Sequence, residues 1–173
     1  MRTARELLSQ YAEYHRDRRN IATHFVGIPL IVFSVAVLLA RVPLPGLDPR
    51  LSAATLMWVL TSGFYLSRHL LIGLATSLAV GLAVWLGHTY AAAPLSTWLA
   101  VGLGSFVIGW IIQLIGHYFE GKKPAFVDDL IGLLVGPMFV VAEVLFALGL
   151  CPDLHRHIEH HAGPTLIRTP TRT

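Results

Sequence analysis

Nine histidines stand in a chain of 173 residues, and their placement says more than their number. His15 and His24 flank the start of the first apolar run and His117 closes the fourth. His155, His157, His160 and His161 follow the fifth. Neutral imidazole is the commonest side-chain metal ligand, and several converging imidazoles suit iron, zinc or copper. His117 and Glu120 are spaced i, i+3, so on a helix they share a face. A histidine and a carboxylate on one face, joined by a second histidine from elsewhere, would form the 2-His-1-carboxylate set of non-haem iron oxygenases. Four histidines would serve as well. His15 and His24 can meet only if the chain bends near Asn20.

Each of these residues also has a plainer reading. A single histidine where lipid meets water is commonly a polar anchor, and His69 and His88 are read that way. The cluster from His155 to His161 equally fits a solvated basic tail. His24 and His117 stand out because each sits where an apolar run meets polar sequence. Glu143 lies inside an apolar run, where a bare carboxylate is costly and usually functional. It would orient a ligand as a supporting partner or make an interhelical hydrogen bond. Asp128 and Asp129 either cap the helix that starts after Pro124 or support a ligand. Lys122 and Lys123 would attract a carboxylate headgroup or simply mark the cytoplasmic side.

The elements that must position these groups follow from composition. Apolar residues make up 54% of the chain and charged residues 13%, against roughly 25% charged in soluble domains. The solvent of such a chain is mostly lipid. The net charge of +3 gathers at the ends, and no basic helix with interleaved aromatics suggests nucleic acid. The single cysteine, Cys151, allows no internal disulfide. No secretory signal is expected, because the first apolar run begins near Phe25 after a charged stretch and no small-residue cleavage site follows.

Residues 3–19 read as an amphipathic surface helix opened by a Thr3–Glu6 capping box. Spans are expected over about Phe25–Arg41, Leu51–Leu66, Leu70–Leu86 and Leu95–Ile115, with a fifth apolar stretch over about Leu130–Leu150. Gly136-Pro137 interrupts that last stretch, so a broken or re-entrant element is expected there. The fold class is therefore all-α: a polytopic membrane protein with about five transmembrane or re-entrant helices plus an N-terminal interfacial helix. It is read as a single domain over 1–161, with residues 162–173 a disordered tail. The basic connections put the N-terminus, Arg68–His69 and the 116–124 loop on the cytoplasmic side. Transport is disfavoured, since only Glu143 is a polar residue set deep in a span.

Three stretches carry a family resemblance. Tyr11-Ala-Glu-Tyr-His15 with Asn20-Ile-Ala-Thr-His24-Phe-Val-Gly-Ile-Pro29 forms the first. Gly109-Trp-Ile-Ile-Gln-Leu-Ile-Gly-His117 with Glu120 forms the second. Pro137-Met-Phe-Val-Val-Ala-Glu143 with Leu145-Phe-Ala-Leu-Gly forms the third. Together they resemble the 2-hydroxy fatty acid dioxygenases, that is, the fungal dioxygenase of phytosphingosine degradation and its bacterial relatives. The resemblance implies an Fe(II)-dependent membrane enzyme that shortens a 2-hydroxy fatty acid by one carbon with O2 and without 2-oxoglutarate. By position it implies His15, His24, His117 and His160 as metal ligands, Asn20 and Glu120 as catalytic residues, and Glu143 and Glu159 as supporting ones. The family's glutamate follows its histidine by four residues and Glu120 follows His117 by three, so the resemblance bears on His117 more than on Glu120. The implied partners are the hydroxy acid, O2 and membrane lipid, with a homodimer left open. The implied place is a bacterial inner membrane, or the endoplasmic reticulum in a eukaryote, with the site at the cytoplasmic face. Two other classes stay in view: a zinc or di-metal lipid hydrolase, and a non-catalytic metal-binding membrane protein.

Overall fold

The computed structural model describes residues 2–46, 48, 51–127, 129 and 131–167; Asp128 lies outside the described residues. Seven α-helices follow in order: α1 (Ala4–Ala12), α2 (Arg18–Ala40), α3 (Ala53–Arg68), α4 (Leu70–His88), α5 (Leu95–Glu120), α6 (Gly132–Ala147) and α7 (Pro152–Ala162). A short 3-10 turn occupies Ala125–Val127. The all-helical class expected from the apolar runs is what forms among the described residues.

Among the described residues, three helices, α2, α4 and α5, are long and apolar enough to cross a bilayer, and α6 with α7 adds a fourth if that bent pair counts as one span. Helix α3 has 16 residues, about 24 Å at 1.5 Å per residue, against a hydrocarbon core of about 30 Å.

The chain forms two compact units, Pro29–Trp110 and Met1–Ile28 with Ile111–Thr173. In the first, α3 and α4 make a tight hairpin. His69 ends α3 and caps α4, its Nδ1 accepting from the Ile72 amide at 3.3 Å. Gly73 lies against the backbone of Tyr65 and Leu66, and a Cβ there would overlap the Tyr65 carbonyl. Gly73→Ala should therefore pry the hairpin open. The expected cost is about 2 kcal/mol, read as a thermal midpoint about 4–8 °C lower in detergent; an unchanged midpoint would show the helices free to shift. Trp58, on α3, donates its indole N–H to the Ser77 carbonyl of α4 at 2.8 Å. Ala36, Ala40, Ala54 and Val84 form a small-residue core nearby. Leu60, Leu78 and Trp85 remain two-thirds exposed, as lipid-facing side chains should.

In the second unit, α1 begins with the expected capping box, Thr3 and Glu6 satisfying each other's backbone amides. The surface helix stops at Ala12 rather than running to residue 19. Asp17 is the reason: its Oδ1 accepts from the Arg19 amide at 2.8 Å, which caps α2 and makes 13–17 a turn. Helix α6 runs through Gly136-Pro137 without a break. Gly136 has no Cβ to clash with the proline ring, and a Cβ would also press on Ile28 and the Tyr11 hydroxyl. The break comes later, where Gly149 and Cys151 both take positive φ and α7 leaves α6 at 116°. Leu154 and Ile158 of α7 are buried. Residues 163–167, within the segment read as a tail, pair with the turn after α1 through Leu166.

Candidate metal centre

The unit containing α1, α6 and α7 also holds the start of α2 and the end of α5, and those two helix ends deliver the histidines. His24 lies in the second turn of α2. His117 lies in the last turn of α5, which ends on Gly121 at φ +68, with the Gly121 amide bonded to the His117 carbonyl at 3.0 Å. His15 belongs to neither helix and sits in the 13–17 turn. The cap at Asp17 supplies the bend near Asn20 that His15 and His24 need in order to meet.

The three rings converge. Ring centroids lie 4.5 Å apart for His15–His24, 4.9 Å for His15–His117 and 5.0 Å for His24–His117, with every pair close to perpendicular. One ligand nitrogen from each ring falls within 4.8 Å of the other two. His15 and His24 are wholly buried, and His117 is 6% exposed. On its far side His15 stacks on Tyr11, at 4.1 Å between centroids and 3° between planes. Burial pushes the Tyr11 phenol above its usual value.

The hydrogen bonds assign the tautomers. His15 Nδ1 lies 2.7 Å from the Tyr11 carbonyl, and His24 Nδ1 lies 2.8 Å from the Asn20 carbonyl. A carbonyl can only accept, so each Nδ1 carries the hydrogen and each Nε2 is left with a lone pair. Those two Nε2 atoms stand 3.0 Å apart. Two lone pairs pressed together in a dry interior repel unless a positive charge lies between them. Two cis nitrogens each about 2.1 Å from one ion would stand about 3.0 Å apart. His117 Nδ1 is buried and reaches no hydrogen-bond partner. The donor set thus fits a divalent transition metal held by imidazole. The carbonyls behind His15 and His24 would serve as the outer supports usual for histidines that hold a metal.

Burial first, and the neighbouring imidazoles second, hold His15 well below the ordinary histidine value. The folded chain keeps it neutral, whereas the unfolded chain takes up its proton near ~6.5. Protons therefore favour the unfolded state, and the metal-free protein should lose stability as pH falls below about 6.5. A thermal midpoint that stays level between pH 7.5 and 5.5 would contradict this.

Glu120 shares a face of α5 with His117, as its spacing requires, yet its carboxylate meets the turn. Oε2 accepts from the Arg16 amide at 2.9 Å, the Asp17 amide at 2.7 Å and Asn20 Nδ2 at 3.1 Å. Asn20 Nδ2 also donates to the Tyr14 carbonyl at 3.0 Å. Glu120 and Asn20 together hold the turn that presents His15. The close approach of α5 to α2 depends on Gly116, where a Cβ would overlap Thr23 Oγ1 and Asn20 Oδ1.

Among the described residues, none of the remaining candidates joins the group of three histidines. His160 is exposed on α7. Glu143 sits 3.6 Å from the Arg16 guanidinium, and Glu159 sits 3.6 Å from His155. Lys122 donates to the Glu13 carbonyl at 2.7 Å, and Lys123 is exposed. Sequence reasoning assigned no site role to Arg16, Asp17, Tyr11 or Gly116, although Tyr11 and Gly116 fall in the stretches that carry the resemblance. An aspartate just before a charged, then apolar, helical run is an N-cap signal, and it could have revealed Asp17. Nothing in local spacing marks the other three.

Comparison with known proteins gives a consistent answer. A family model described as "2-hydroxy-palmitic acid dioxygenase Mpo1-like" matches residues 1–148. The 2-hydroxy-palmitic acid dioxygenase MPO1 of Saccharomyces cerevisiae is 35% identical over 158 residues, which cover 90% of this chain and 87% of that protein. No solved structure matches.

Proposed function

This chain belongs to the Mpo1-like family, and on that premise we propose that it is a membrane-embedded, Fe(II)-dependent dioxygenase that shortens a 2-hydroxy fatty acid by one carbon. The observation that carries the reading is the buried meeting of His15, His24 and His117, with two Nε2 lone pairs 3.0 Å apart.

His15, His24 and His117 are the residues that would hold the iron. When bound, the iron supplies the one-electron chemistry that lets O2 react with a closed-shell organic acid. The protein's own groups do the rest. The Tyr11 and Asn20 carbonyls keep His15 and His24 in the tautomer that can ligate. Glu120 and Asn20 keep the His15 turn closed. Tyr11 and Phe139 pack against the His15 ring and exclude water from that side. Lys122 and Lys123, just beyond the end of α5, draw the carboxylate headgroup to this end of the helix while the acyl chain stays in lipid. Basic residues near the N-terminus and at 122–123 favour the cytoplasmic face of a bacterial inner membrane, or of the endoplasmic reticulum in a eukaryote. The stoichiometry needs no co-reductant: a 2-hydroxy acid and one O2 balance as an acid one carbon shorter, CO2 and water.

Anaerobic purification, metal quantification and an oxygen electrode test this reading. Iron bound to the chain, with O2 uptake on 2-hydroxypalmitate but not on palmitate, is the expected result. A zinc-loaded protein that consumes no O2 would overturn it.

A further inference from the structure

The turn that carries His15 is held from two directions. Glu120 grips it from the end of α5. From the other side, residues 163–167 lie along it as a short strap. The Leu166 amide donates to the Arg16 carbonyl at 2.9 Å, and the Arg18 amide donates to the Leu166 carbonyl at 3.0 Å. This is a single parallel bridge centred on Asp17. Arg16 adds a bond from Nη1 to the Gly163 carbonyl at 3.1 Å. At the end of α7, His161 Nε2 meets Glu13 Oε1 at 2.9 Å. The strap and α7 therefore bracket His15, touching Glu13 before it and Arg16 and Arg18 after it.

His15 needs such support more than its partners do. His24 and His117 are carried on long helices whose ladders fix their backbones. His15 lies outside both α1 and α2; its amide bonds back to Ala12 at 3.0 Å, and beyond it the chain leaves helical hydrogen bonding until Arg18. A ligand on a loose turn must be ordered at the moment of binding, and that ordering lowers affinity. The strap orders the turn beforehand. It also lies beyond residues 1–148, the part the family model matches.

We propose that the strap is a positioning element for His15, with Leu166 at its centre: backbone pairing at Arg16 and Arg18 sets where His15 Nε2 points, and with it the metal affinity of the three histidines. The inference rests on the metal reading given under Proposed function.

The test compares the full chain with Leu166→Pro, with a chain ended after Ala162 and with a chain ended after Ile167. Each is prepared metal-free in detergent and titrated anaerobically with Fe(II) alone. Proline removes the Leu166 N–H and leaves the rest of the strap in place. Leu166→Pro and the chain ended after Ala162 should bind Fe(II) about 10–100-fold more weakly at unchanged helical content; in the truncated chain, which also loses the carbonyl that Arg18 bonds, the Arg18 amide should exchange faster. The chain ended after Ile167 should bind like the full chain. If the shorter truncation loses helical content, Leu166→Pro decides. Equal affinity in the full chain and Leu166→Pro would overturn the proposal. So would loss of helical content in both variants, because the strap would then be holding the fold rather than the ligand. A full chain that binds no iron would instead bring down the metal reading itself, and the strap's role with it.

Discussion

His24→Ala, and separately His117→Ala, should purify without stoichiometric iron, with turnover lowered by more than the ~10–100-fold typical of residues that only orient a ligand. Each substitution removes one of three convergent nitrogens. Neither residue is needed to hold the helix that carries it, so helical content should survive. Removing His24 also relieves the contact between its Nε2 and that of His15. The metal-free variant should consequently be no less stable than the metal-free parent, apart from the packing its ring provides. Iron content and circular dichroism on the same preparations check both points. His160→Ala, on the exposed side of α7, is expected to keep its iron; its loss there would extend the ligand set to α7. Full activity in His24→Ala or His117→Ala would remove that residue from the essential set.

Glu120→Ala should do its damage through the fold. The Glu120 carboxylate is 2% exposed and is the acceptor for two backbone amides and the Asn20 side chain. Truncation strands all of these donors in a buried place, at about 1–3 kcal/mol each. That is a large share of a total stability of about 5–15 kcal/mol. Poor recovery of folded protein is expected, together with weak iron binding in whatever survives. Glu120→Gln keeps one acceptor oxygen and should fall between the parent and Glu120→Ala on both measures. The informative contrary result is a Glu120→Ala protein with the parent's thermal midpoint and iron content but no turnover. That would move Glu120 from holding the turn into the chemistry itself.

The family relationship sharpens what these experiments mean. A relative 35% identical across most of both chains points to the reaction class. It says nothing about which buried group in this chain carries the ion and which carries the turn. In the structure the three imidazoles face one another, and Oε2 of Glu120 faces the Arg16 and Asp17 amides. On a helical wheel His117 and Glu120 share a face, so one helix end presents both side chains.

Much of this protein is set by short-range chemistry and was legible in the chain itself. Apolar runs with few charges become helices in lipid. Thr3 and Glu6 cap one helix by local bonding, and His24 and His117 fall where apolar runs give way to polar residues. The tertiary structure alone decided which histidines meet, since Glu120 reaches the Arg16 amide across 104 positions of sequence and no periodicity encodes such a contact. It decided that α1 stops for Asp17, whose carboxylate prefers the amide of Arg19 to a continued helix. It also decided that the fifth apolar stretch passes through Pro137, because Gly136 leaves room for the ring, and bends only after Ala147. Spacing within a helix fixes directions around one axis; which axes come together depends on how buried polar groups find their partners, and that is a property of the whole fold.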